Sequence, residues 1–332
     1  MKTYRKIILA RGILALVIFS LLLAWVLTSC EQHDLCYDHS HSGKLNIYYT
    51  WEVVGEEKPT SMFLYLFPDR KDKVVIKREF AGNEKGRTVI ENGVAYDALT
   101  FNSDRRNLVV ENAFSRDSLF LSTTEATMID KIGLPVSEMP KSRGAEGQRF
   151  LSEADRVFVA ASKEKIFTDY FAGDGQDIEI NIPFHPKRMS CVYNIKVKEV
   201  LNPSKVASGI AASISGLSSG IYPWSGKKGT EKVNVPFAAD LDVDKGMLNA
   251  TMTCFGRVED DSVKNILTIY TTLKDGSKFS FVFDITDQIR NAADPYNVSV
   301  VLDRLPVPDV IDPSGMKPSI DKWEAEDIPI KM

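Results

Sequence analysis

Neither sign of charge dominates this 332-residue chain: 41 Lys and Arg stand against 45 Asp and Glu, for a formal net charge of −4. That balance excludes nucleic acid as a partner, because a protein that follows phosphates carries a basic patch or stripe. The chain has no phosphate-cradling P-loop, no dinucleotide fingerprint, no calcium-loop pattern and no H-E-x-x-H pair, so no cofactor is expected. Helical repeats and heptads are absent as well. Histidine is scarce, and the last is His185. That scarcity decides one string: Gly216-Leu217-Ser218-Ser219-Gly220 matches the G-x-S-x-G elbow of α/β-hydrolases. The elbow needs an acid and then a His downstream to take the serine proton. With no later imidazole the triad cannot be assembled in that order, and a non-enzymatic protein is expected.

Long apolar runs are also missing, except at the start. Lys2, Arg5, Lys6 and Arg11 precede an apolar stretch from Gly12 to Leu27, which ends in Leu27-Thr28-Ser29-Cys30. This is the layout of a secretory signal closing on a lipoprotein cleavage box. A membrane span needs roughly 20 apolar residues, and this run is shorter. Residues 1–29 therefore read as a signal peptide, with Cys30 the lipidation site of the mature chain. Acyl chains contribute about 0.8 kcal/mol per buried CH₂, so one holds weakly and two or three hold firmly. The expected membrane partner is lipid, reached through acylated Cys30. Of the remaining cysteines, Cys191 and Cys254 both fall in expected strands. A disulfide between them and two small buried hydrophobes are the open alternatives.

From residue 34 onward apolar and polar residues alternate in short runs broken by turn residues, the period of β-strands. Leu45, Ile47, Tyr49, Trp51 and Val53 share one face, while Met62 to Phe67 is apolar on both faces, as in a strand between two layers. Val74–Phe80, Arg87–Ile90, Val94–Phe101 and Asn107–Glu111 follow, with Asn92-Gly93 as a tight turn. Residues 132–148 hold Gly133, Pro135, Pro140, Gly144 and Gly147 among charges and read as an exposed excursion. Strands resume at Arg156–Ala161 and Asp177–Pro183, and Phe184 to Arg188 reads as the passage to a second unit. There Met189–Val200, a bulged Ser208–Tyr222 and Met247–Val258 precede a hairpin, Ile266–Leu273 and Lys278–Ile285, about a two-residue Asp275-Gly276 turn. A short helix capped by Thr286 and a strand Tyr296–Leu302 close the unit. The pattern predicts an all-β chain with two β-sandwiches in tandem. Its divisions are a signal at 1–29, a lipidated tether at 30–42, sandwiches at 43–185 and 186–309, and a tail at 310–332. Ser319–Trp323 and Ile328–Lys331 in that tail read as added edge strands.

Three features invite a binding role. His33, Asp34, Asp38, His39 and His41 crowd the tether, but they lack zinc-site spacing and read as polar spacer, so no metal is expected. Tyr222-Pro223-Trp224 lies in a Gly/Ser/Lys-rich turn, where Tyr222 and Trp224 would make a glycan platform if exposed, or cover a core end if not. A loose terminal strand can also pair with another chain.

Asp34-Leu35-Cys36-Tyr37-Asp38-His39 directly after the lipobox resembles the start of fimbrillin-like lipoproteins of Bacteroidales. Val94–Asp104, the Ala211-Ala212-Ser213-Ile214-Ser215-Gly216-Leu217 string, and Phe283–Ile289 with Leu305-Pro306-Val307-Pro308 are similar to later landmarks of that family. The resemblance implies two transthyretin-like β-sandwich domains, outer-membrane attachment, and an anchor or accessory role in fimbriae or a related adhesive assembly, with other surface subunits as partners. It also implies assembly by strand exchange, with polymerising members cut after an Arg. Here Arg70 is followed by Lys71-Asp72-Lys73 and no single Arg site stands out after the first strand, which fits an uncleaved base subunit. The alternative expectation is a glycan-binding surface lipoprotein of a polysaccharide-uptake system.

Overall fold

Short alternating runs become short strands. The computed structural model describes residues 42–52, 58–129, 132–142, 144–168, 178–207, 209–309 and 324–328. Cys30, the His-rich tether and Ser319–Trp323 lie outside them. The first half contains β1 (Ser42–Tyr49), β2 (Ser61–Pro68), β3 (Ile76–Ala81), β4 (Lys85–Glu91), β5 (Ala95–Asn102), β6 (Leu108–Glu111) and β7 (Phe120–Thr123). It continues through β8 (Met128–Ile129), β9 (Leu134–Pro135), β10 (Arg149–Phe150), β11 (Phe158–Ala161), β12 (Ile166–Phe167), β13 (Glu179–Phe184) and β14 (Lys187–Arg188). The second half contains β15 (Cys191–Val200), β16 (Ile210–Ser218), β17 (Gly220–Ile221), β18 (Lys232–Asp242), β19 (Met247–Cys254), β20 (Ile266–Thr272) and β21 (Lys278–Asp284). A one-turn helix α1 (Thr286–Arg290), β22 (Asn297–Leu305) and β23 (Glu324–Asp327) complete it. The all-β expectation holds.

Two sheets sandwich the first core. One runs β13-β1-β4 and the other β14-β11-β5-β2-β3, with β12 also on β5. Leu45, Ile47 and Tyr49 of β1 meet Met62, Leu64 and Leu66 of β2 and Tyr96 and Ala98 of β5. As its two apolar faces require, β2 also works outward: Tyr65 and Phe67, with Leu99 and Phe101 of β5, pack on Leu119, Leu121, Ile221 and Phe255. Asn92-Gly93 is a turn with Gly93 at φ +74°. It carries the chain from one sheet to the other instead of closing a hairpin, because β4 and β5 belong to different sheets.

The second half is a long sheet folded on itself, in the order β22-β15-β19-β18-β16-β20-β21-β23. β18 and β19 pair only over Asp240–Asp242 against Met247–Asn249 and then diverge, so two layers face each other. Between them lie Tyr193, Ile195 and Val197, Ile214, Val235 and Phe237, Leu267 and Ile269, Phe281 and Phe283, and Val298 and Val300.

The segment read as an exposed excursion instead lies on this second half. Val136, Met139, Ser142 and Ala145 are buried. Ile129, Val136 and Met139 pack with Ala211, Ala238 and Tyr270 on the outer face of the β18-β16-β20 layer. The Tyr270 hydroxyl donates to Pro140 O at 2.7 Å, and Gly216 N donates to Gln148 Oε1 at 2.9 Å. The physical reason is on the sheet: β16 is buried along its entire length, so its small outer residues need a cover, which Ile129, Val136 and Met139 supply. The chain then closes the seam between the diverging strands. β10 pairs parallel with the start of β18, Leu151 N donates to Asn234 O at 3.0 Å, and Ala154 N donates to Thr253 O at 2.9 Å.

Two turn details also differ from expectation. The β20–β21 turn is closed by Leu273 N to Ser277 O and is longer than two residues, with Gly276 at φ +93°. Thr286 does not cap α1; Ile285 stands at that position, and the Thr286 hydroxyl donates instead to Asp284 Oδ1.

Candidate functional site

Unpaired main-chain groups at strand edges are the means by which β proteins join other chains. Three edges are guarded differently here. β3 presents exposed Lys77, Arg78 and Glu79, with the Lys77 ammonium 4.1 Å over the Phe63 ring, a charged edge that resists pairing. β22 ends one side of the second sheet, and Gln288 from α1 fills its edge: Oε1 accepts from Val301 N at 2.8 Å and Nε2 donates to Val301 O at 3.0 Å. One side-chain amide thereby takes both main-chain positions that Val301 would offer a further strand.

The opposite edge is covered by chain. β23 pairs parallel with β21 from Phe279↔Glu324 to Val282↔Asp327, and Ile328 N donates to Val282 O at 3.0 Å. Ile328 packs against the second core. The tail forms an edge strand at Glu324–Asp327; the expected Ile328–Lys331 lies, beyond Ile328, outside the described residues. A four-residue strand makes few main-chain bonds.

The serine string is structural. Ser218 is 2% exposed, and its hydroxyl donates to Gly220 O at 2.7 Å and to Gly229 O at 2.9 Å, as the strand bulges between Ile214 and Leu217. Among the described residues no group of three His, Cys, Asp or Glu is placed to hold a metal ion. Trp224 is partly buried against the aromatic cluster under β2 and β5, and the Arg116 guanidinium lies 4.8 Å from its ring centre. Arg116 also pairs with Asp97 at 2.6 Å. Tyr222 is exposed but tilts onto Phe120 at 4.8 Å. The two aromatics thus sit where the halves meet, and Trp224 has one face taken by a cation.

Cys191 and Cys254 stand directly opposite each other on β15 and β19, buried and as free thiols. Burial raises both thiol pKa values above the ordinary range. Arg149, which the sequence did not mark, forks Glu231 at 2.8 and 2.9 Å and reaches Glu125 at 3.1 Å, clipping the seam segment to the second half. The hydrogen bond from Arg149 holds the Glu231 carboxyl below the ordinary value.

A family profile described as a domain of unknown function (DUF5119) matches residues 29–238. No curated protein sequence matches the chain. Among solved structures, a candidate adhesin from Bacteroides ovatus is 14% identical with a TM-score of 0.56, covering 80% of this chain and 94% of that one. The fimbrial anchor protein Mfa2 from Porphyromonas gingivalis is 11% identical with a TM-score of 0.50, covering 79% of this chain and 90% of that one. At these identities the likeness is one of fold, and at that level the resemblance read from the sequence holds.

Proposed function

The chain belongs to the DUF5119 family, and we propose that it is a non-enzymatic, lipid-anchored surface protein that serves as an anchor or accessory subunit of fimbriae or a related adhesive assembly. The observation that carries the reading is the β21 edge, covered by a short strand from the chain's own tail while the β22 edge is plugged by a side chain. A removable strand is what a subunit needs in order to exchange main-chain pairing with a neighbour. The fold shared with a fimbrial anchor and a candidate adhesin supports the same reading.

In this account acylated Cys30 fixes the protein to the outer membrane, residues 30–42 act as the tether, and the β layers present the β21 edge to a partner subunit. Main-chain bonds along the edge give affinity, and the side chains of alternate residues give selectivity. Deleting residues 310–332 tests it. The truncated protein, still folded by circular dichroism, is expected to lose the surface subunits that co-purify with the full chain. Undiminished co-purification would remove the tail from the assembly mechanism.

A further inference from the structure

Cys191 opens β15 and Cys254 closes β19, and the register sets one against the other. Val192 N donates to Tyr296 O toward β22, so the main-chain groups of Cys191, one residue earlier, face β19. That makes the cysteines a hydrogen-bonded antiparallel pair, for which Cα atoms lie about 5.5 Å apart. Disulfides most often join Cα atoms about 5.5–6 Å apart. Both sulfurs also converge on Gly256. Its N–H donates to Cys254 Sγ at 3.3 Å, and a Cβ at that position would lie 3.0 Å from Cys191 Sγ. Each cysteine stands at an end of its strand, where fewer ladder bonds resist the closer approach a disulfide requires.

We infer that Cys191 and Cys254 are a disulfide site that ties β15 to its neighbour β19 within one layer of the second half. The oxidant is a disulfide of the glutathione or protein oxidoreductase class. The thiolate of one cysteine attacks it, giving a mixed disulfide and one free oxidant thiol. The second thiolate then displaces the remaining oxidant sulfur. Two protons leave the cysteines, and two electrons reduce the oxidant disulfide to two thiols. The bond forms during folding, because the native thiols are buried and held protonated by that burial. Once made, it is shielded from reductants for the same reason.

Its formation in the cell rests on the exported location proposed above, so the test is made outside the cell. The full chain carrying Cys30→Ser and Cys36→Ser is refolded from denaturant in mixed oxidised and reduced glutathione, alkylated and digested. The expected product is a peptide pair linked through Cys191 and Cys254, with a melting temperature that falls on reduction in denaturant and refolding without oxidant. The added Cys191→Ser variant is expected to melt at the temperature of the reduced protein under both conditions. Recovery of both residues alkylated, in protein that has refolded under fully oxidising glutathione, would overturn the inference. If the bond forms in this experiment while protein isolated from whole cells carries both thiols reduced, the site stands and the exported location fails.

Discussion

Arg149 shows how much a single exposed side chain can organise. Its guanidinium joins Glu231 of the second half to Glu125 of the segment that crosses it, but all three are about half exposed, so the pairing contributes about 0.2–1 kcal/mol. The sign of its pH dependence follows from the lowered Glu231 pKa. Stability from the pair is present above the unfolded glutamate pKa, about 4.3, and is lost as pH falls through the lower folded value. Glu231→Gln is therefore expected to lower the urea midpoint slightly at pH 7, with the difference from wild type shrinking as pH falls through the lowered folded value. Gly216 is a sharper case: it has φ +75°, and a Cβ there would come 2.2 Å from Lys264 O. Gly216→Ala is expected to destabilise by about 2 kcal/mol or more in a denaturant melt, combining backbone strain with a clash. That glycine belongs to the string that mimics a catalytic motif, and its role is to let the bulged strand pass its neighbour.

At the scale of elements, the seam between β18 and β19 is closed by residues that precede β11. Leu151 is 3% exposed and lies in the second core, although it comes from the first half. Leu151→Ala is expected to cost about 2–5 kcal/mol in a chemical melt by leaving a cavity. Replacing residues 130–147 with a short Gly/Ser linker should uncover Ala211, Ala238 and Tyr270 and raise binding of a hydrophobic dye, whereas an unchanged dye signal would mean the cover is dispensable.

Much of this was legible in the sequence. The alternation of β1, the two-faced β2 and the β20–β21 hairpin all follow from side-chain period. β18 is harder to see: Val233, Val235, Phe237 and Ala239 alternate, but Pro236 among them argues against a central strand. The structure resolves the conflict. Asn234 O points to the seam side, so Pro236, two residues on, turns its missing N–H toward the stretch where β18 and β19 have parted. The cover over β16 was illegible for another reason: a partner for its small outer residues is a tertiary fact that no local pattern in 132–148 announces. Gln288 was equally hidden, since a glutamine in a short helix gives no sign that it will mimic a strand.

At the scale of the molecule, the halves are stitched together in both directions. β10 of the first half pairs with β18, β17 of the second pairs with β7, and Phe255 and Ile221 enter the cluster beneath Tyr65 and Phe101. Calorimetry is expected to give one transition with matching calorimetric and van't Hoff enthalpies, and two separated transitions would show that the halves are independent. In the proposed account such a body would suit a base subunit, because a pull on the β21 edge would pass through the shared packing of the two halves. Everything in that account hangs on the tether being acylated. The most direct measurement is labelled-palmitate incorporation with membrane fractionation of wild type and Cys30→Ala. The account predicts label and outer-membrane recovery for wild type and neither for the variant; a variant that keeps both would contradict it.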